Sequence, residues 1–75
     1  MNEKNYTVID KAANPYEMDG KKGTSYKVCL RVQTGTKIMW VTPKCTKDAY
    51  ENTTAGDTGT AYFDEFGRFG GFLDD

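Results

Sequence analysis

From Ser25 to Gln33 the chain alternates without a break: Tyr26, Val28, Leu30 and Val32 are apolar, and Ser25, Lys27, Cys29, Arg31 and Gln33 lie between them. A period of two is the pattern of a strand with one buried and one wet face, so Lys27 and Arg31 are predicted to point the same way. Thr34-Gly35 supplies a turn. The run Lys37-Ile38-Met39-Trp40-Val41-Thr42, rich in β-branched and aromatic residues, then predicts a second strand and closes a hairpin. Pro43 has no N–H to donate and interrupts the ladder there. The predicted core of this hairpin is Val28, Leu30, Val32, Ile38 and Trp40.

The remaining elements follow from weaker patterns. Tyr6 to Asp10 reads as an earlier strand, followed by a loop punctuated by Asn14-Pro15 and Asp19-Gly20. Thr46 to Asn52 reads as a short helix capped by Thr46 with an acid in its first turn. Thr53 to Gly59 is small and polar, hence a loop. Thr60 to Asp64 is a fourth strand, Phe66-Gly67-Arg68 a turn, and Phe69 to Leu73 a short, glycine-loosened fifth. Three strands, a helical connection and two more strands form the element order of a small five-stranded OB-like barrel, all-β apart from one short helix, in a single domain over residues 1–75. Closing the barrel would also remove exposed strand edges. An SH3-like barrel and a two-layer β-roll share the same inventory.

Composition adds scale. At 75 residues, only about 60% of the unfolded surface is buried on folding, so the core is thin. Aromatics, five Tyr, four Phe and one Trp, supply much of it. The N-terminus MNEKNYTVID is polar, and the longest apolar run, Ile38 to Val41, is far short of the roughly 20 residues a membrane helix needs. The expected setting is soluble and cytoplasmic, with no membrane partner. In that setting Cys29 and Cys45 are expected to be free thiols, since one pair of cysteines is not a disulfide framework.

Charge changes the picture more. Lys21, Lys22, Lys27, Arg31, Lys37, Lys44 and Lys47 fall within residues 21–47 without a single Asp or Glu, yet the whole chain carries a formal charge of −1. The balancing acids are concentrated after residue 47: Asp48, Glu51, Asp57, Asp64, Glu65, Asp74 and Asp75, against Arg68 alone. Segregation of this kind builds a local potential and predicts an anionic or dipolar partner.

Catalysis is not indicated. There is no His, so the commonest general base is missing, and the cysteines and the serine have no visible activating neighbour. Asp57-Thr58-Gly59-Thr60 matches the D-T-G-T string of aspartic proteases, but Thr54-Ala55-Gly56 precedes it where those enzymes have an apolar strand. Asp64 and Glu65 are neighbours on a strand and face opposite sides. Two isolated cysteines make no four-ligand zinc site, so neither a metal nor a cofactor is expected.

Binding is better supported. Single-stranded nucleic acid is held by a basic groove that follows the phosphates and by aromatic rings on which bases stack. Lys21, Lys22, Lys27, Arg31 and Lys37 are the candidate groove. Tyr26 and Trp40 are candidate stacking rings, with a core position as the alternative for each. Tyr16, Tyr50 and Phe66 fall in predicted loops, where an aromatic has more reason to stack.

Gly23-x-x-Tyr26 opening a basic alternating strand, then a second strand, then a late Phe66-Gly67-x-Phe69-Gly70 before a short terminal strand, resembles the small single-stranded-DNA-binding proteins of filamentous phages and related mobile elements. The resemblance spans residues 20–73. It implies an OB-like domain, usually a homodimer, that coats single-stranded DNA without sequence preference. The acidic C-terminal third departs from that pattern, and the family's long binding-wing loop has no visible counterpart. The acids motivate the rival expectation, a phage-type inhibitor or adaptor that docks on a host protein such as a defence nuclease. There Asp57, Asp64, Glu65, Asp74 and Asp75 would imitate phosphates.

Overall fold

The computed structural model describes residues 2–73, so Asp74 and Asp75, candidates for protein docking, lie outside the described residues. Six antiparallel strands and one helix follow one another: β1 (Asn2–Met18), β2 (Lys21–Thr34), β3 (Lys37–Val41), β4 (Lys44–Cys45), α1 (Lys47–Asn52), β5 (Thr58–Phe63) and β6 (Phe69–Phe72). The strands form one sheet in the order β3-β2-β1-β5-β6, with the two-residue β4 also paired to β2. The protein is therefore a small all-β domain with a single short helix. No helix among the described residues is long and apolar enough to cross a membrane.

The alternation read from β2 has the expected result. Val28, Leu30 and Val32 are buried, and Val8, Ala61 and Phe63 join them from β1 and β5. Rings from β6 complete the inner face, Phe69 edge-on to Phe63 at 5.9 Å and Phe72 edge-on to Tyr6 at 5.5 Å. A register shift between Tyr62 and Phe63, with Gly71 at φ 148°, lets both Phe69 and Phe72 reach the core despite their odd spacing. Tyr6 lies across Gly59, where any Cβ would collide with the tyrosine ring.

The expected five-stranded barrel is corrected in two respects. Pro43 splits the third strand, so its continuation, Lys44–Cys45, counts as a sixth. The sheet is also open: β3 and β6 are its two edges, and no ladder joins them among the described residues. It is nevertheless strongly curled, because Val41 of β3 and Phe69 of β6 pack against the same buried clusters.

The phase of β3 is the second correction. Val41 pairs with Leu30 and Met39 with Val32, so those two face inward and their neighbours face out. Ile38 is 53% and Trp40 58% exposed, and neither belongs to the core.

The third correction concerns the predicted loop after Asp10. Residues 10–18 instead continue β1 and pair with β2 from Met18↔Lys21 to Asp10↔Cys29. Asp19 (φ 53°) and Gly20 (φ 76°) close this hairpin with two successive left-handed residues, the signature of a tight type I′ turn. β5 pairs with β1 only over Asn2–Thr7, so from Val8 onward β1 is an edge strand, a setting that accommodates Pro15. The result is an arm exposed on both sides. It explains why the molecule measures 46 × 26 × 23 Å with a radius of gyration of 13.6 Å, against about 11 Å for a compact chain of this length.

The arm leaves the body at a bulge. Ile9 is skipped in the pairing between Val8 and Asp10, and the loop before β5 clasps the strand there through Val8 N–H to the Asp57 carbonyl (2.8 Å) and Gly56 N–H to the Val8 carbonyl (2.8 Å). On the other side, α1 props the arm's root. Thr46 caps the helix as predicted, its Oγ1 accepting from Ala49 N–H at 3.1 Å. Lys11 Nζ donates to the Tyr50 carbonyl at 2.8 Å and lies 4.4 Å from the Tyr50 ring centre. Tyr26 packs on the same ring at 5.0 Å.

Candidate nucleic-acid interface

Residues opposite one another in a ladder share a face, so the register assigns every candidate to one side of the sheet. On the outer face, β2 presents Arg31, Cys29, Lys27, Ser25, Gly23 and Lys21 in order. Trp40 stands opposite Arg31, Lys44 opposite Lys27, and Tyr16 opposite Gly23. At about 3.4 Å per residue this line of cations extends about 34 Å. Lys27, Arg31, Lys21 and Trp40, expected to act together, are thus brought onto one surface.

Lys27 and Lys44 meet directly across the β2–β4 pair. Like charges in that position disfavour the sheet, and the nearest carboxylate on this face, Asp10, is opposite Cys29 with its Oδ1 accepting from Lys11 N–H at 2.8 Å. The ion pairs found among the described residues, Lys47–Glu51 and Asp64–Arg68, are not on this face. The stripe is consequently a predominantly positive surface with no ion pair among the described residues. Beside Arg31 it opens into a shallow polar depression of about 680 Å³, lined by Asn5, Thr7, Gln33, Thr58 and Thr60.

Other candidates are separated from it. Tyr26 faces inward against Tyr50 and is half-buried, so it serves packing rather than stacking. The register places Lys37, opposite Thr34, and Lys22, opposite Glu17, on the other side of the sheet. Phe66 is exposed at the tip of the β5–β6 turn, with the Arg68 guanidinium 5.2 Å from its ring centre. Lys44 is the member of the surface that the sequence left out of the groove, and Tyr16, expected to stack from a loop, stands on a strand instead. Lys44 could have been found by treating Pro43 as a gap within one strand.

The acidic candidates have structural duties. Asp64 Oδ1 accepts from the Phe66 and Arg68 N–H groups at 2.9 and 2.8 Å, and its Oδ2 accepts from Arg68 Nε at 2.9 Å. The Arg68 backbone bond foremost, with the Arg68 side chain and Phe66 N–H assisting against desolvation, holds this carboxyl below its usual range. Asp57 Oδ2 accepts from Thr54 N–H at 2.9 Å within its own turn. Glu65 is exposed beside Phe66.

Cys29 and Cys45 are free, and they lie on opposite faces of the sheet, Cys29 outward beside Asp10 and Cys45 inward beside Tyr26. Burial pushes the Cys45 thiol up, opposed only partly by the charge of Lys11. Since the thiolate is the nucleophile, Cys29 is expected to alkylate before Cys45 in the native protein, and both at once in denaturant without reductant. Mass spectrometry of a time course checks the order.

No protein-family model, no curated protein and no solved structure matches this chain.

Proposed function

We propose that the outer face binds single-stranded nucleic acid and that the protein is a non-catalytic, intracellular binding module. The observation that carries this is the stripe itself: Lys27 and Lys44 placed side by side against their mutual repulsion, Arg31 and Lys21 in line with them, and an exposed indole beside Arg31. A polyanion relieves that repulsion, and Trp40 offers a stacking surface to the bases between its phosphates. The resemblance to phage and mobile-element single-stranded-DNA-binding proteins points the same way, and the arm supplies a projecting element of the kind that the sequence alone did not reveal. An OB-like ancestry accords with the strand order and the curled sheet. Docking on a host protein through the acidic third has less support, because Asp57 and Asp64 already hold turns.

Trp40 is the only tryptophan, so its emission reports binding directly. Titration with a single-stranded oligonucleotide should quench it. If Lys21, Lys27, Arg31 and Lys44 each neutralise one phosphate, the slope of log K against log salt should be about −2.8, at about −0.7 per contact. Absence of binding at low salt would falsify the reading and turn attention to Glu65 and a protein partner.

A further inference from the structure

The arm carries a second aromatic platform. Tyr16 lies opposite Gly23, and a Cβ built at position 23 would fall on the Tyr16 ring, so the ring rests on bare backbone rather than standing off the sheet. Glycine weakens a strand, and Gly23 has no left-handed backbone to justify it. Its local role is to seat that ring. The hydroxyl end of the ring covers Gly23, and Tyr16 is nevertheless 52% exposed, so ring surface remains open to a ligand.

Resting on the nucleic-acid reading, the geometry points to a single strand laid lengthwise along β2, stacked at one end on Trp40 and at the other on Tyr16. Trp40 is opposite Arg31 and Tyr16 opposite Gly23, eight residues apart on β2, or about 27 Å. The cations Arg31, Lys27 and Lys44 occupy the interval, and Lys21 lies just beyond Tyr16. A stacked strand advances about 3.4 Å per nucleotide, so about eight nucleotides bridge the two rings, and an extended strand needs fewer. The ligand class is therefore a continuous single strand long enough to reach both. A strand of about three nucleotides occupies one platform only.

The test is a length series of fluorescently labelled oligothymidylates, from about three to about ten nucleotides, read by anisotropy at low salt. Wild-type protein should show a step in affinity of about 5- to 150-fold as the length becomes sufficient to bridge, the size of one added stacking contact. Tyr16→Ala should abolish the step and leave the shortest oligonucleotide unaffected, while Tyr16→Phe should retain it. Gly23→Val, which lifts the ring from its seat, should weaken the step with Tyr16 present. Circular dichroism confirms that each variant is folded. A step that survives Tyr16→Ala, or an equal loss at every length, overturns the lengthwise track while leaving binding intact. No binding of any length by the wild-type protein overturns the functional reading and this inference together.

Discussion

Leu30→Ala is expected to cost about 2 to 5 kcal/mol and to unfold much of the protein, whereas Trp40→Ala should change stability by no more than about 0.5 kcal/mol. Leu30 is completely buried between Val8 and Val28, with Tyr6, Val41, Cys45, Phe69 and Phe72 packed around that cluster. Its side chain is enclosed by that cluster, so truncation leaves a cavity in a thin core. A domain of this length has in total about 4 to 11 kcal/mol of stability, and the loss is a large fraction of it. Trp40 is the larger side chain, but its register opposite Arg31 turns it to the wet face. Urea denaturation of both variants checks the contrast, and a Trp40→Ala loss as large as that of Leu30→Ala would put the indole in the core and contradict the register.

Replacing Lys27 and Arg31 together by Gln should weaken oligonucleotide binding by about 60-fold at 50 mM salt and leave it almost unchanged near 1 M. Each phosphate contact contributes about 0.7 to the salt slope, so two contacts flatten it by about 1.4, and the counterion contribution vanishes as log salt approaches zero. The two plots of log K against log salt should therefore converge at high salt. Parallel plots would mean that these side chains touch bases or shape the fold rather than neutralise phosphates. Both positions are on the outer face and outside the buried clusters, so folding should be preserved. Titration of Trp40 emission at four or more salt concentrations makes the distinction.

How much of this could be read from the sequence depended on whether a segment has one wet face. β2 does, and its alternation fixed the core positions Val28, Leu30 and Val32 and the shared face of Lys27 and Arg31. The helix was legible through its Thr46 cap, and β5 and β6 through their apolar runs. β3 was found but not phased, because Ile38, Met39, Trp40 and Val41 are all apolar and alternation carries no information there. Only pairing with Leu30 and Val32 selects Met39 and Val41 as the inward pair. The arm was missed for the opposite reason: wet on both faces, it has no hydrophobic period, and Asn14-Pro15 reads as a break. With the arm went the strand position of Tyr16, expected to stack from a loop, and the stripe's full length. Lys37 was misassigned because proximity in a hairpin does not reveal parity.

The arm's freedom from the core has an evolutionary consequence. Beyond Ala13 and Tyr26, past β4 and the helix at its root, the arm holds no buried residue, so residues can be added or lost there without disturbing a buried contact. Side chains alternate faces, however, and one residue gained or lost per strand would carry Tyr16 to the opposite side from Trp40. Insertions and deletions confined to this outer segment should thus leave the core intact, but they are compatible with a shared aromatic face only in steps of two residues per strand, four in the hairpin as a whole. Arm length becomes a ruler with discrete marks, by which descendants of this chain could lengthen or shorten the stretch of polymer they cover while leaving the body of the protein untouched.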